Sequence, residues 1–224
     1  MRLQLPICAL LLICSSISIG PSIYAADARP AATVQFSLDF PGANPSHYEI
    51  SIAADGQGSY TSNGKLDEQS EPGDPAPLAF NLSDKTRSRI FDLAQRAHYF
   101  AGKVDSGRKN LANTGAKTLS YKDESRNSNA TYNYSSLPAV QELTEVFQRL
   151  STTLEYGRRL SYFHKYEKLA LEQDLKQMEE MQRENNLGDV QAIAPVLKQI
   201  ADDPSVITVT RSRALRLLTT TQNH

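Results

Sequence analysis

Sulfur is scarce in this chain: of 224 residues two are cysteine, Cys8 and Cys14, and three are methionine. Tryptophan is missing altogether, and histidine occurs four times, as His47, His98, His164 and His224. There is no charge bias either, with 24 basic residues against 25 acidic ones and a formal net charge of −1. A nucleic-acid-binding surface needs a basic footprint, so nucleic acid is not an expected partner. No apolar run beyond the N-terminus approaches the roughly 20 residues of a membrane-spanning helix, so no transmembrane span is expected in the mature chain.

What the N-terminus does contain is the three-part layout of a secretory signal. Arg2 supplies the positive start, Leu5 to Cys14 (LPICALLLIC) the apolar segment, and Gly20-Pro21 the break before the small residues Ala25-Ala26. Residues 1–25 read as a cleavable signal peptide, with cut-off after Ala25. Ser15, Ser16 and Ser18 dilute the apolar stretch, which disfavours an uncleaved anchor. Ile13 stands before Cys14 where lipidation requires a small residue. Both cysteines therefore depart with the signal. An exported chain without thiols forms no disulfide and must rest on its hydrophobic core. It also has no thiol nucleophile and no thiolate metal ligand. The expected location is the periplasm or the medium.

Familiar catalytic patterns are missing. No G-x-S-x-G elbow occurs, and Gly56-Gln57-Gly58-Ser59 belongs to a hairpin. No H-E-x-x-H occurs. The acidic stretch Asp67, Glu68, Glu71 and Asp74 lacks the alternating ligand spacing of a calcium loop. Thr114-Gly115-Ala116-Lys117-Thr118 has Ala116 where a phosphate loop needs glycine before its lysine. No catalytic residue, cofactor or metal ligand is assigned.

The patterning divides the rest in two. Val34, Phe36, Leu38 and Phe40 alternate at the strand period, as do Tyr48, Ile50 and Ile52. Asp55-Gly56 marks a hairpin turn leading to a return strand at Gly58–Ser62, and Leu78, Phe80 and Leu82 mark a fourth strand. Ser83 caps a helix expected over Asp84–His98. Strands follow at Ala116–Lys122 and Asn129–Ser135, then a helix from Pro138 with a stripe of Val140, Leu143, Phe147, Leu150 and Leu154. From Tyr156 onward only helical signals remain. A charged helix is expected over Arg158–Asn186, supported by Glu172–Lys176 and Glu179–Arg183 pairs four residues apart. Another carries Val190, Ile193, Leu197 and Ile200, with a restart at Pro195, and a last one spans Ser205–Leu218. The expected class is α+β: a mainly antiparallel sheet with helices on one face over residues 26–155, and an all-α extension over residues 156–224.

The run Tyr48-x-Ile50-x-Ile52, Asp55-Gly56-x-Gly58-x-Tyr60, Leu82-Ser83 and a helix carrying Ile90, Leu93, Ala94 and Ala97 before Tyr99-Phe100, with Pro138 opening a later helix, resembles a loose family of exported bacterial α+β proteins of unknown function. The resemblance implies a bacterial envelope setting and carries over no catalytic residue.

Arg158, Arg159, Tyr162 and Tyr166 are the candidate interaction residues, because arginine and aromatic side chains anchor protein interfaces. The expected role is a non-enzymatic module that binds another envelope protein. Two alternatives stand beside it: a hydrolase of envelope polymers, and a small-ligand binder between the two long loops, Gly64–Pro77 and Ala101–Gly115.

Overall fold

The computed structural model describes residues 31–67 and 77–221. The expected signal peptide and most of the acidic stretch lie outside the described residues. Six strands form one antiparallel sheet: β1 (Thr33–Asp39), β2 (His47–Ala53), β3 (Gln57–Ser62), β4 (Leu78–Asn81), β5 (Ala116–Lys122) and β6 (Asn127–Tyr132). Their order is β4-β3-β2-β1-β5-β6. The first strand is therefore central, and Phe36 sits opposite both Ile50 of β2 and Leu119 of β5.

The period of two decides which face is covered. Val34, Phe36, Ile50, Ile52, Tyr60 and Leu119 are buried, whereas Gln35 and Glu49 on the opposite face are exposed. Helices α1 (Asp84–Arg96) and α2 (Pro138–Tyr166) supply the cover, bringing Ile90 and Leu93 from one and Leu143, Phe147 and Leu150 from the other. The Phe36 and Phe147 rings stack with centroids 5.1 Å apart. Each ring removed from water is worth roughly 3 kcal/mol. The expected α+β class is the observed one.

Several expected boundaries shift, each for a physical reason. The expected helix from Arg158 to Asn186 does not exist as such. Helix α2 runs unbroken for 29 residues, because its buried stripe continues from Leu154 through Gly157 and Leu160 to Phe163. The expected boundary between residues 155 and 156 thus lies mid-helix. The stripe ends at Tyr166, 61% exposed, and Leu169, 82% exposed, and Glu167 leaves helical geometry. A new helix, α3 (Leu171–Arg183), then begins. Strand β6 starts two residues early, because Asp123 closes the hairpin by accepting the amides of Ser125 and Arg126. Residues 133–135 leave the sheet, with Ser135 Oγ donating to the Val104 carbonyl.

Helix α1 ends at Arg96 rather than His98. His98, Tyr99 and Phe100 form a left-handed turn with φ of 50°, 53° and 64°, a conformation that costs about 1–2 kcal/mol per residue. Buried Phe100 and the Tyr99–Tyr121 ring contact at 4.5 Å hold it. After α3, a 3₁₀ turn at Val190–Ile193 leads into α4 (Ala194–Asp202), with Pro195 in its first turn as expected. The last helix, α5 (Thr208–Thr221), starts three residues late because Asp203 folds back onto the Ser205 amide. No described helix is long and apolar enough to cross a membrane.

Phe147→Ala removes the ring stacked on the central strand and leaves a cavity. Urea unfolding should show a loss of about 3–5 kcal/mol; a loss below about 1 kcal/mol would mean that this contact does not hold α2 on the sheet.

Candidate functional site

The four residues singled out in the sequence do not form one accessible face. Arg158 turns inward and donates to both oxygens of Glu155, at 3.0 and 3.1 Å. Glu155 in turn accepts from the Tyr60 hydroxyl at 2.7 Å. This network joins α2 to β3, and burial together with the Glu155 charge pushes the Tyr60 hydroxyl far above the usual tyrosine range. Arg159 donates to Asp174 at 2.9 Å and lies 4.4 Å above the Tyr156 ring, joining α2 to α3. Of the four only Tyr166 is exposed, while Tyr162 is half-buried against the core. Tyr162 and Tyr166 meet at 5.1 Å, and Tyr166 leads on to exposed Leu169.

Two of the described histidines, His47 and His164, each lie against a carboxylate. His47 Nδ1 lies 2.7 Å from Asp39 on the surface. His164 Nε2 lies 2.9 Å from Asp203, which also accepts from Lys168 at 2.7 Å and from Ser205 at 2.7 Å. Lys168 foremost, and then Ser205, hold the Asp203 carboxyl well below the usual carboxylate range. This cluster clasps the end of α2 to the turn before α5. Among the described residues no three histidines or carboxylates gather as metal ligands.

Lys117 is a further surprise on the core side of β5, only 4% exposed. Its ammonium donates among four neutral oxygens: the Thr114 carbonyl and hydroxyl and the carbonyls of Gly115 and Asn133. Burial lowers its pKa. It borders a pocket of about 260 Å³ with Thr114, Tyr132 and Gln141. An ammonium has three protons, so four acceptors leave none for a ligand. The two long loops leave the same end of the sheet, since Ser62 and Ala116 flank the paired ends of β1 and β2. No described residue of the first loop lines that pocket.

A groove of about 1440 Å³ runs between the first turns of α1, the middle of α2, the end of α3 and one side of α5. Its shape depends on Gly188. The Gly188 amide donates to the Arg149 carbonyl at 3.0 Å and is within 2.9 Å of Thr153 Oγ1. A Cβ at this position would lie 2.6 Å from the Leu150 backbone. Only glycine lets the connection after α3 rest directly on α2. From that connection Asp189 reaches α1, accepting from the Ser83 amide at 2.7 Å and its hydroxyl at 2.6 Å. Opposite, α5 is tied to α3 by Arg213, which donates to Glu172 and Glu179, and by Arg216, which donates to Glu179. Burial alone would raise the Glu179 pKa, yet these guanidinium bonds outweigh it and hold the carboxyl low.

These bonds replace the two pairs expected along α3. Glu172 bonds Arg213 and Thr210 of α5 rather than Lys176. Among the described residues Arg183 donates to the backbone carbonyl of Glu179, whose carboxylate bonds α5. Arg149, half-buried on the α2 wall, has no carboxylate partner among the described residues. The sequence offers it Glu145 four positions earlier, but no ion pair forms there. The groove thus keeps two guanidiniums, Arg149 and Arg183, with donors to spare.

The chain matches no protein-family model and no curated protein.

Two outcomes are expected from the bonds above. Arg158→Ala strands the Glu155 carboxylate, 13% exposed, and should cost on the order of 3 kcal/mol in urea unfolding; an unchanged midpoint would count against a structural role. Asp203→Asn should lower the melting temperature at neutral pH. Because the native pKa of Asp203 lies below its unfolded value, its contribution is complete above the ordinary carboxylate pKa and fades as pH falls below about 4. The wild-type and Asp203→Asn curves should therefore converge in acid, and a gap that persists there would refute this role.

Proposed function

We propose that this protein is an exported, non-catalytic binding module whose ligand seat is the groove between α1, α2, α3 and α5. One observation carries the reading: Arg149 sits half-buried on the groove wall and forms no ion pair with any carboxylate among the described residues. A partly desolvated cation without a counter-charge is unfavourable, and a ligand that supplies the charge gains what the fold leaves unsatisfied. The groove also brings apolar surface from Leu82 and Val146 next to this charge, the mixture of apolar wall and few polar groups from which binding sites are made.

Turnover has less support. The carboxylates lining the groove are each engaged: Asp84 with Arg87, Asp189 with Ser83 and Gln191, and Glu179 with Arg213 and Arg216. The exported setting rests on the signal layout of residues 1–25, and the resemblance to exported bacterial α+β proteins points the same way.

The test needs no knowledge of the ligand. A photoreactive amino acid placed at Val146, in the chain expressed with its own N-terminus, should give a light-dependent adduct in the cell envelope. The adduct should vanish when Arg149→Glu is added. The same group at Lys122, on the open face of the sheet, should not give it. Identical adducts from both positions, adducts indifferent to Arg149→Glu, or none at Val146 would overturn the reading.

A further inference from the structure

We infer that the groove takes an extended acidic peptide with interspersed aliphatic side chains, an inference that rests on the groove being the ligand seat. Charge is the first reason. Lys85, Arg89, Arg149, Arg183, Arg213 and Arg216 line it together with Asp84, Glu179 and Asp189. Arg89 is answered by Glu142, Arg213 by Glu172 and Glu179, and Arg216 by Glu179, so the positive charge left for a ligand is that of Arg149 and Arg183, which pair with no carboxylate among the described residues. Guanidinium groups match carboxylates through paired N–H donors, and Arg149 and Arg183 still have such donors available.

Shape is the second reason. At about 1440 Å³ the groove exceeds the roughly 300–1,000 Å³ that encloses a compact small molecule, and an extended chain uses such a trough better.

The third reason is the make-up of the wall. No aromatic residue among the described ones lines the groove, so single-stranded nucleic acid lacks the ring platforms on which its bases stack, and a sugar has no ring face to lie against. Leu82 and Val146 offer partly open aliphatic surface, which an aliphatic side chain fills and a bare polyanion does not. Gln182, Asn185 and Gln191 carry side-chain amides along the same trough. Each presents both donor and acceptor, as the alternating N–H and C=O groups of a peptide backbone require. Carboxylates, aliphatic side chains and a peptide backbone together describe an acidic segment of another protein.

The experiment is fluorescence anisotropy on the purified chain with a labelled peptide of alternating glutamate and leucine. Its companions are the same peptide with lysine for glutamate, polyglutamate, and inorganic polyphosphate. The glutamate–leucine peptide should bind best, and added salt should weaken it. Arg149→Glu and Arg183→Glu should each weaken it by about tenfold or more, while Lys122→Glu, an equal change of charge on the far face, leaves it unchanged. Arg149→Gln, a milder variant, should also weaken binding if Arg149→Glu disturbs folding. Equal binding of the lysine peptide, tighter binding of polyphosphate, or affinity indifferent to Arg149 and Arg183 would overturn the assignment. If no peptide binds while the Arg149-dependent adduct at Val146 forms, the peptide assignment fails and the groove keeps its role. If the adduct is missing as well, both fall.

Discussion

Helix α2 is packed from two sides, and the remaining architecture depends on that constraint. One side lies on the sheet, where Phe147 stacks on Phe36 and Leu143 and Leu150 complete the cover. Another side receives the C-terminal elements at contact distance: Gly188 lies against the Leu150 backbone, and Gly157 leaves room for Ile193, whose side chain a Cβ there would meet at 2.5 Å. Both glycines act by having no side chain. Their neighbours approach the helix more closely than any other residue would permit, and one buried cluster extends from β1 to α5.

That close approach also creates the concavity. The connection after α3 is pinned low on α2 by the Gly188 amide, while Asp189 beside it draws in the start of α1 and α5 stands off on its arginine–glutamate bonds. A trough is left between walls whose spacing is set by backbone contact and buried polar bonds rather than by loose loops. A site mounted on such rigid supports is pre-organised, which reduces the entropy lost on binding.

The arginines of the chain show how context assigns roles to one residue type. Arg158 and Arg159, adjacent in sequence, are each consumed by a carboxylate, one toward the sheet and one toward α3. Arg213 and Arg216 hold the last helix. Arg149 and Arg183 each follow a glutamate by four positions yet pair with neither: Glu179 is taken by α5, and no Glu145–Arg149 ion pair forms. In α3 the expected pairs four residues apart lose to bonds with α5, because a partly buried ion pair between helices loses less to solvent than an exposed pair on one helix face.

The chain's own pattern was enough to mark the strands, the inward-facing residues of β1 and β2, the start of the first helix and the α+β class. These rest on local rules: alternation in β1 and β2, the Asp55-Gly56 turn, the Ser83 cap and the heptad-like stripe after Pro138. The same reading broke α2 at a change of composition near Tyr156, although the apolar spacing continued to Phe163, and it did not foresee the left-handed turn at His98–Phe100, where burial of Phe100 overrides an unfavourable backbone. Arg149 and Arg183 carried no mark at all, since each has a glutamate four positions before it and reads as an ordinary solvated pair. Which guanidinium stays unmatched is decided by what other helices bring alongside, as when Glu142 of α2 meets Arg89 of α1 across a separation of 53 residues. Local sequence encodes which elements form; three-dimensional packing determines which charges they leave unanswered, because ion pairs are settled by proximity in space and not along the chain.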